Sequence, residues 1–343
     1  MPNSIALFKN YVPILDEVYR EASRTAVLDG APELARAGAN AGELIIPKMT
    51  MDGLADYARA SGYVDGNVTL TNETVLCNFD RGRMFTVDAL DDAETAGIAF
   101  GRLASEFIRT RVVPELDAFR FACYAGKPGI SSAEGVLASG ADVIAAISAA
   151  VTEMDENEVP SDQRHLRITS TLLRAIKDMD SYKSREVLES FASVKPVPQR
   201  RFYTAIEQLS GRDGEKAGGF RKYGKHYVKC AQGDTGALEV ILDSGSVSGA
   251  QIKAADVTPV ADPAYKPATG DYVKAVAGAE INFMILHTPA LIQFQKHVAP
   301  KIISPEQNQT GDAWKYGYRN VGIADVYANK LAGVFCHHKA AGV

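Results

Sequence analysis

The segment from Asp88 to Phe121, DALDDAETAGIAFGRLASEFIRTRVVPELDAFRF, is the longest in the chain that reads as one element, and it constrains the fold most. Apolar Ala96, Phe100, Leu103 and Phe107, with Ala104 and Ile108, recur three and four residues apart, while Arg102, Glu106 and Arg109 fall on the other side. That spacing predicts a long amphipathic helix whose apolar stripe must be covered by another element. Asp88 or Asp91 can cap the free amides at its start, with Glu94 in the first turn opposing the positive helix end. Pro114 lacks an amide proton and crowds the preceding turn, which predicts a kink near Arg111 to Pro114 and a continuation to Phe121. Gly97 and Gly101 each cost a helix about 1 kcal/mol relative to alanine, so a close neighbour is expected there.

With 343 residues the chain can bury a large core and divide into two or three domains. Hydrophobic residues at 46% and charged residues at 23% place it with globular proteins rather than with disordered or membrane chains. No apolar run is long enough to span a bilayer, and the N-terminus lacks the basic-then-apolar pattern of a signal peptide, so a cytosol-like compartment is expected. Cys77, Cys123, Cys230 and Cys336 stand singly, without zinc-ligand spacing, and read as reduced thiols. A net charge of −5 provides no global field to attract nucleic acid, so any such contact must be local.

Before the helix, residues 1 to 42 hold a short amphipathic stretch, Ile5, Phe8, Val12, Leu15 and Tyr19, followed by small residues that suit an extended arm. From Glu43 to Val87 the period becomes that of strands: Leu44 to Met49, a polar centre, then alternating Val68, Leu70, Thr74 and Leu76. This predicts a long two-stranded excursion with too few large apolar residues for its own core, which therefore leans on a partner. Asp80 to Asp88 forms a returning strand. Arg81 and Arg83 flank Gly82 there and are expected in ion pairs with groups such as Asp88 or with a neighbouring subunit.

After Gly126-Lys-Pro-Gly129, a helix is expected to open at Ser132, run through Val136, Ile144 and Ile147 and end before the acidic turn Asp155 to Glu158, then a strand at Leu166 to Thr169 and a helix from Ser170 to Asp178. Residues 196 to 209 read as a strand or short helix, and 211 to 233 as a glycine-rich basic loop with Tyr223 and Tyr227. Ala279 to His287 reads as a buried strand with His287 a core histidine, Pro289 to Val298 as a short helix, and the segments after Asp312 as closing strands. No phosphate-binding GxxxxGK[ST] loop, GxSxG elbow or HExxH helix occurs. His337 and His338 are adjacent on a strand, hence on opposite faces, and are expected at an exposed terminus rather than on a metal. Catalytic residues, cofactor and metal sites are all expected to be absent. An arm, a projecting hairpin and a spine helix without a catalytic grouping suit a lattice-forming subunit.

The stretches IPKMTMDGLADYARASGYVDGNVTLTNET (Ile46 to Thr74), DRGRMFTVDALDDAET (Asp80 to Thr95) and RTRVVPELDAFRF (Arg109 to Phe121) resemble those of tailed-phage major capsid proteins, which have the Hong Kong 97-type fold. EINFMILHTPALIQFQKHVAPKI (Glu280 to Ile302) and GDAWKYGYRNVGIADVYANKLAGVF (Gly311 to Phe335) add to the resemblance. It covers residues from about 42 to 343 and is weakest between 211 and 272.

The resemblance implies an α+β fold with an N-terminal arm (1–42), an extended β-hairpin loop (43–87), a peripheral-domain spine helix (88–126), an axial domain (127–310, with a possible insertion at 211–272) and closing peripheral strands (311–343). It implies a structural protein, not an enzyme, that self-assembles into pentamers and hexamers of an icosahedral virion shell enclosing double-stranded DNA, built in the host bacterial cytoplasm. A portal, and in some cases a decoration protein, would join that shell. An encapsulin-like cellular nanocompartment shell is the alternative. Asp56, Arg59, Asp65, Arg81 and Arg83 are the candidate inter-subunit ion-pair residues. Two departures from relatives matter. The loop tip from Asp56 to Gly66 has Arg59 and no lysine for a covalent cross-link, so a non-covalent shell is expected. The first forty residues are too few for a built-in helical scaffold, so a separate scaffolding protein is expected.

Overall fold

The computed structural model describes residues 19, 22–29, 36–37, 43–57, 59, 62–90, 98–179, 182–212, 214–224, 226–234, 237–240 and 268–340. The expected N-terminal amphipathic stretch before Tyr19, and Asp91, Glu94 and Gly97 of the expected helix start, lie outside them.

In chain order the elements are β1 (Arg36–Ala37), β2 (Glu43–Met51), β3 (Val68–Leu76), β4 (Phe79–Asp88), α1 (Ile98–Phe107), a π-helical turn (Ile108–Val112), α2 (Val113–Ala125), β5 (Ser131–Glu134), α3 (Gly140–Glu156), β6 (Arg164–Thr169), α4 (Ser170–Asp178), α5 (Tyr182–Glu189), β7 (Ser193–Val197), β8 (Ile206–Gln208), β9 (Phe220–Lys222), β10 (His226–Lys229), β11 (Leu238–Glu239), β12 (Tyr272–Val276), β13 (Ile281–His287), β14 (Leu291–Ile303), β15 (Ala313–Val326) and β16 (Val334–His338). This is a mixed helix and sheet chain that divides into two compact units.

The first unit comprises Met1–Val12, Leu28–Ala104 and Ile292–Ala324. Within it β1, β2 and β3 form one antiparallel sheet, and β14, β15 and β4, in that order, form a second sheet. β4 pairs with β15 along its whole length, from Phe79 opposite Gly322 to Asp88 opposite Ala313. Phe79, Tyr316, Tyr318 and Ile323 are buried there. The two-residue link between β3 and β4 is held by Asn78, whose side chain donates to Ala324 O at 2.8 Å and accepts from Ala324 N at 3.1 Å, replacing a missing rung of the ladder. A Cβ on Gly82 would lie 2.9 Å from Tyr318 O, and one on Gly322 2.9 Å from Phe294 O, so both positions require glycine for strand approach.

The second unit comprises Pro13–Val27, Ser105–Leu291 and Asp325–Val343. Its centre is a five-stranded sheet in the order β5-β16-β13-β6-β7, in which β13 is antiparallel to β16 and β6 while β5 and β7 run parallel to their neighbours. Every residue of β13 and β6 is buried, as a central strand covered on both faces requires. Val143, Ile147, Ala150 and Met154 of α3 and Leu173 and Ile176 of α4 pack with Leu166, Ile168, Phe283, Ile285 and Phe335. A polar network is also buried in this unit. Asp117 of α2, fully buried, accepts from Ser23 Oγ (2.8 Å), Thr25 Oγ1 (2.6 Å), Arg24 N (2.9 Å) and Arg201 Nη1 (3.2 Å). Arg167 Nε donates to Arg24 O at 2.8 Å, and Arg120 Nη1 reaches Tyr19 Oη and Thr25 Oγ1 at 2.8 and 2.9 Å. Tyr19 and residues 23–25 are thus tied to α2 and β6 by charged and polar hydrogen bonds.

Around Pro114 the helix continues through Phe121, as expected, and its irregularity is a π turn just before the proline. α1 and α2 are joined by the π turn, with Val113 N–H donating to Ile108 O, and the backbone stays right-handed helical at Phe107, Val112 and Val113. Pro114 sits in the first turn of α2, where its missing amide leaves the least unsatisfied, and the wider turn before it makes room for the ring. Asp88 does accept from Leu90 N at 2.9 Å at the end of β4.

Three further expectations are corrected. Ser131–Glu134 is a strand, β5, paired with β16, and the helix begins at Gly140 because Ser139 and Asp142 form a reciprocal capping box. Instead of a helix from Pro289 to Val298 there is a 3-10 turn, Thr288–Ala290, and then the long strand β14, whose apolar residues find a sheet partner in β15. His337 is buried, not exposed: it lies between β13 and β5, stacks on Phe283 at 5.1 Å and contacts Asn282 Nδ2 through Nδ1 at 3.0 Å.

Candidate functional site

The feature of the first unit that faces solvent with chemistry unsuited to it is the hairpin of β2 and β3. Nine residue pairs run from Glu43 opposite Leu76 to Met51 opposite Val68. Asp52 closes the ladder, its N donating to Asn67 O at 3.1 Å and its carboxylate accepting from Asn67 N at 2.8 Å. Because side chains directly opposite share a face, Met49 with Leu70 and Met51 with Val68 make one apolar stripe leading to the tip. These four are 54%, 62%, 67% and 67% exposed, respectively. Beyond them Leu54, Tyr57, Tyr63 and Val64 are exposed as well, with the Tyr57 and Tyr63 rings 4.9 Å apart. A contiguous apolar surface on a thin hairpin marks an interaction site rather than a fold interior.

Asp56, Arg59 and Asp65 all lie exposed in the loop between β2 and β3. Arg81 and Arg83 lie instead on β4, Arg81 half-buried and Arg83 exposed, with β15 as the strand's partner. The nearby bidentate pair is Arg319 with Asp80, Nε to Oδ1 at 2.9 Å and Nη2 to Oδ2 at 2.6 Å. The Arg319 hydrogen bond holds the Asp80 carboxyl below its ordinary value. Sequence reasoning missed the stripe on β2, although the alternation in Lys48-Met-Thr-Met51 carries its signal.

The second unit offers perturbed groups, each shifted first by desolvation. Burial pushes the Cys123 and Cys336 thiols up to about 12 and the His165 imidazole down to about 4, Arg167 and Lys195 adding to the latter. Thiols held that high are poor nucleophiles. Among the described residues no three His, Cys, Asp or Glu side chains cluster to hold a metal, and no helix is long and apolar enough to cross a membrane.

No family model matches the sequence, and no curated protein matches it. Solved structures do. The virus-like particle from Pyrococcus furiosus is 7% identical with a TM-score of 0.51, over 94% of this chain and 95% of that one. Gordonia phage Cozz is 12% identical, TM-score 0.48, over 93% and 87%. The capsid of the cyanophage P-SCSP1u is 9% identical, TM-score 0.47, over 90% and 86%. At such low identity it is the chain path that is shared, and this chain has the fold of a chain of that virus-like particle over 94% of its length.

Proposed function

We propose that this chain is a shell-forming subunit, the major capsid protein of a tailed double-stranded DNA phage, assembling through copies of itself into pentamers and hexamers of an icosahedral shell. The observation that carries this reading is the hairpin of β2 and β3: its stripe of Met49, Met51, Val68 and Leu70 and its tip are exposed in the single chain. Beyond the short pairing with β1 at Leu44 and Ile45 the hairpin is two-stranded, which is marginal in water without a core of its own, and a neighbouring copy supplies the missing surface. The fold shared with the virus-like particle agrees with it. On this reading residues 1–42 are the arm, 43–87 the loop laid over a neighbour, and the helical segment before Gly126 the spine. Asp56, Arg59, Asp65, Arg81 and Arg83 pair across subunits, and many modest contacts repeated on a closed lattice give the shell its stability. The shell is held without covalent cross-links, is built on a separate scaffolding protein, and serves a virion with portal and packaged DNA.

Negative-stain electron microscopy and sedimentation of the purified chain, with and without a scaffolding protein, test this. Capsomer rings or closed shells are expected, and a persistent monodisperse monomer in both conditions would overturn the proposal. Shells containing a native enzyme and no DNA would instead identify a cellular compartment. Charge reversal at Arg81 and Arg83 should abolish shells while leaving the subunit folded; intact shells would remove those residues from the interface.

A further inference from the structure

A second surface has the opposite chemistry. In the second unit a cleft of about 830 Å³ is lined by Ala22, Arg24, Glu106, Arg109, Thr110, Arg111, Arg200 and Arg201. Five guanidinium groups from three chain segments meet there in a protein whose net charge is −5. The π turn explains part of the concentration. Its extra residue per turn lets Arg109, Thr110 and Arg111 all emerge on the solvent side between buried Ile108 and Val112. The 3-10 turn Gln199–Arg201 supplies Arg200 and Arg201, and the buried Asp117 network fixes the backbone at Arg24.

Among the described residues, carboxylates answer only part of this charge: Glu106 pairs with Arg109 at 2.8 Å, and Asp117 with Arg201 at 3.2 Å. Arg24 Nε and Arg201 Nε are buried and find no acceptor among the described residues. Donors of this kind call for an acceptor oxygen, and where they belong to guanidinium groups that line a cleft a charged acceptor forms the stronger bond.

We propose that this cleft binds the phosphate backbone of duplex DNA without regard to sequence. Its lining favours this over a protein partner. Docking sites for protein segments centre on a buried apolar patch, and among the described residues lining the cleft the apolar side chain is Ala22. Among the described residues the lining has no aromatic ring on which an unpaired base could stack, which favours the backbone of a duplex over single-stranded bases. Arginine forks match phosphate oxygens in pairs, and interfaces with DNA are polar and strongly positive. The inference draws on the shell reading only for the source of the DNA. In a shell it gives each subunit one weak, salt-sensitive hold on the packaged genome.

The test is fluorescence anisotropy of a labelled 20-base-pair duplex titrated with the dilute, unassembled full chain. Three uncompensated charges predict a slope of log affinity against log salt of about −2.7, hence about a 40-fold loss between 50 and 200 mM salt. The double variant Arg109→Gln, Arg111→Gln should bind at least about tenfold more weakly and flatten the slope by about 2. Glu106→Gln, which removes the internal competitor for Arg109, should bind more tightly than the parent. Absence of binding by the parent, or equal binding by the double variant with unchanged thermal melting, would overturn the proposal. So would displacement of the duplex by polyglutamate at equal charge concentration, which would assign the cleft to an acidic protein segment. Shell formation is scored separately by microscopy, so the loss of DNA binding with normal shells would bear on the cleft alone.

Discussion

Replacing Leu70 and its cross-strand neighbour Met49 with serine separates assembly from folding. Full burial of a Leu or Met side chain contributes about 1.5–3 kcal/mol. Leu70 is 62% and Met49 54% exposed, so more than half of that contribution is still to be gained when a neighbour covers them. Assembly should therefore weaken by about 2–4 kcal/mol per contact, or about 30- to several-hundred-fold in association constant. Subunit stability should change by no more than about 1 kcal/mol, the contribution of one exposed cross-strand pair. Urea denaturation of dilute subunits measures the second quantity, and sedimentation velocity across a concentration series measures the first. A variant that assembles at parental concentrations would refute the reasoning about the stripe. One that loses several kcal/mol of subunit stability would refute it differently, by showing that the stripe is packed within the chain.

Other outcomes follow from the interior and from the charged pairs. Asp117→Ala removes a buried acceptor serving Ser23, Thr25, Arg24 and Arg201, and should cost about 3–5 kcal/mol in chemical denaturation, with segment 19–25 becoming the first site of proteolysis. Gly140→Ala places a Cβ 2.4 Å from Ala175 O and 2.6 Å from Met179 Sδ. The roughly 1 kcal/mol that alanine gains in a helix is outweighed by overpacking of about 1–3 kcal/mol, so a lower melting temperature is expected. The Asp80 carboxyl is held below its ordinary value by Arg319, so this pair adds stability above the unfolded carboxylate's pKa and loses it as pH falls through the folded value. Both side chains are more than half exposed, which limits the gain to below about 1 kcal/mol. Arg319→Gln should return Asp80 to an ordinary titration by NMR and remove that acid-side contribution.

Much of the architecture is written in local patterns. The period-two alternation on either side of a polar centre specifies the hairpin, and the run Ile281–His287 specifies a strand buried on both faces. The apolar spacing around Leu103 and Ile108 specifies the helix. In each case the signal is short-range, because side-chain period and burial are two readings of one geometry. Where the sequence misled, the deciding partner was remote. LIQFQKHV is compatible with a helix until β15 offers it a ladder, and Ser131–Glu134 becomes a strand only because β16, some two hundred positions later, runs beside it. His337 looks terminal along the chain and is buried because two strands flank it. The two candidate surfaces divide in the same way. The hairpin's apolar alternation is in the sequence, whereas the arginine cleft assembles residues near positions 24, 109 and 200, and only the folded chain places those guanidinium groups around one space.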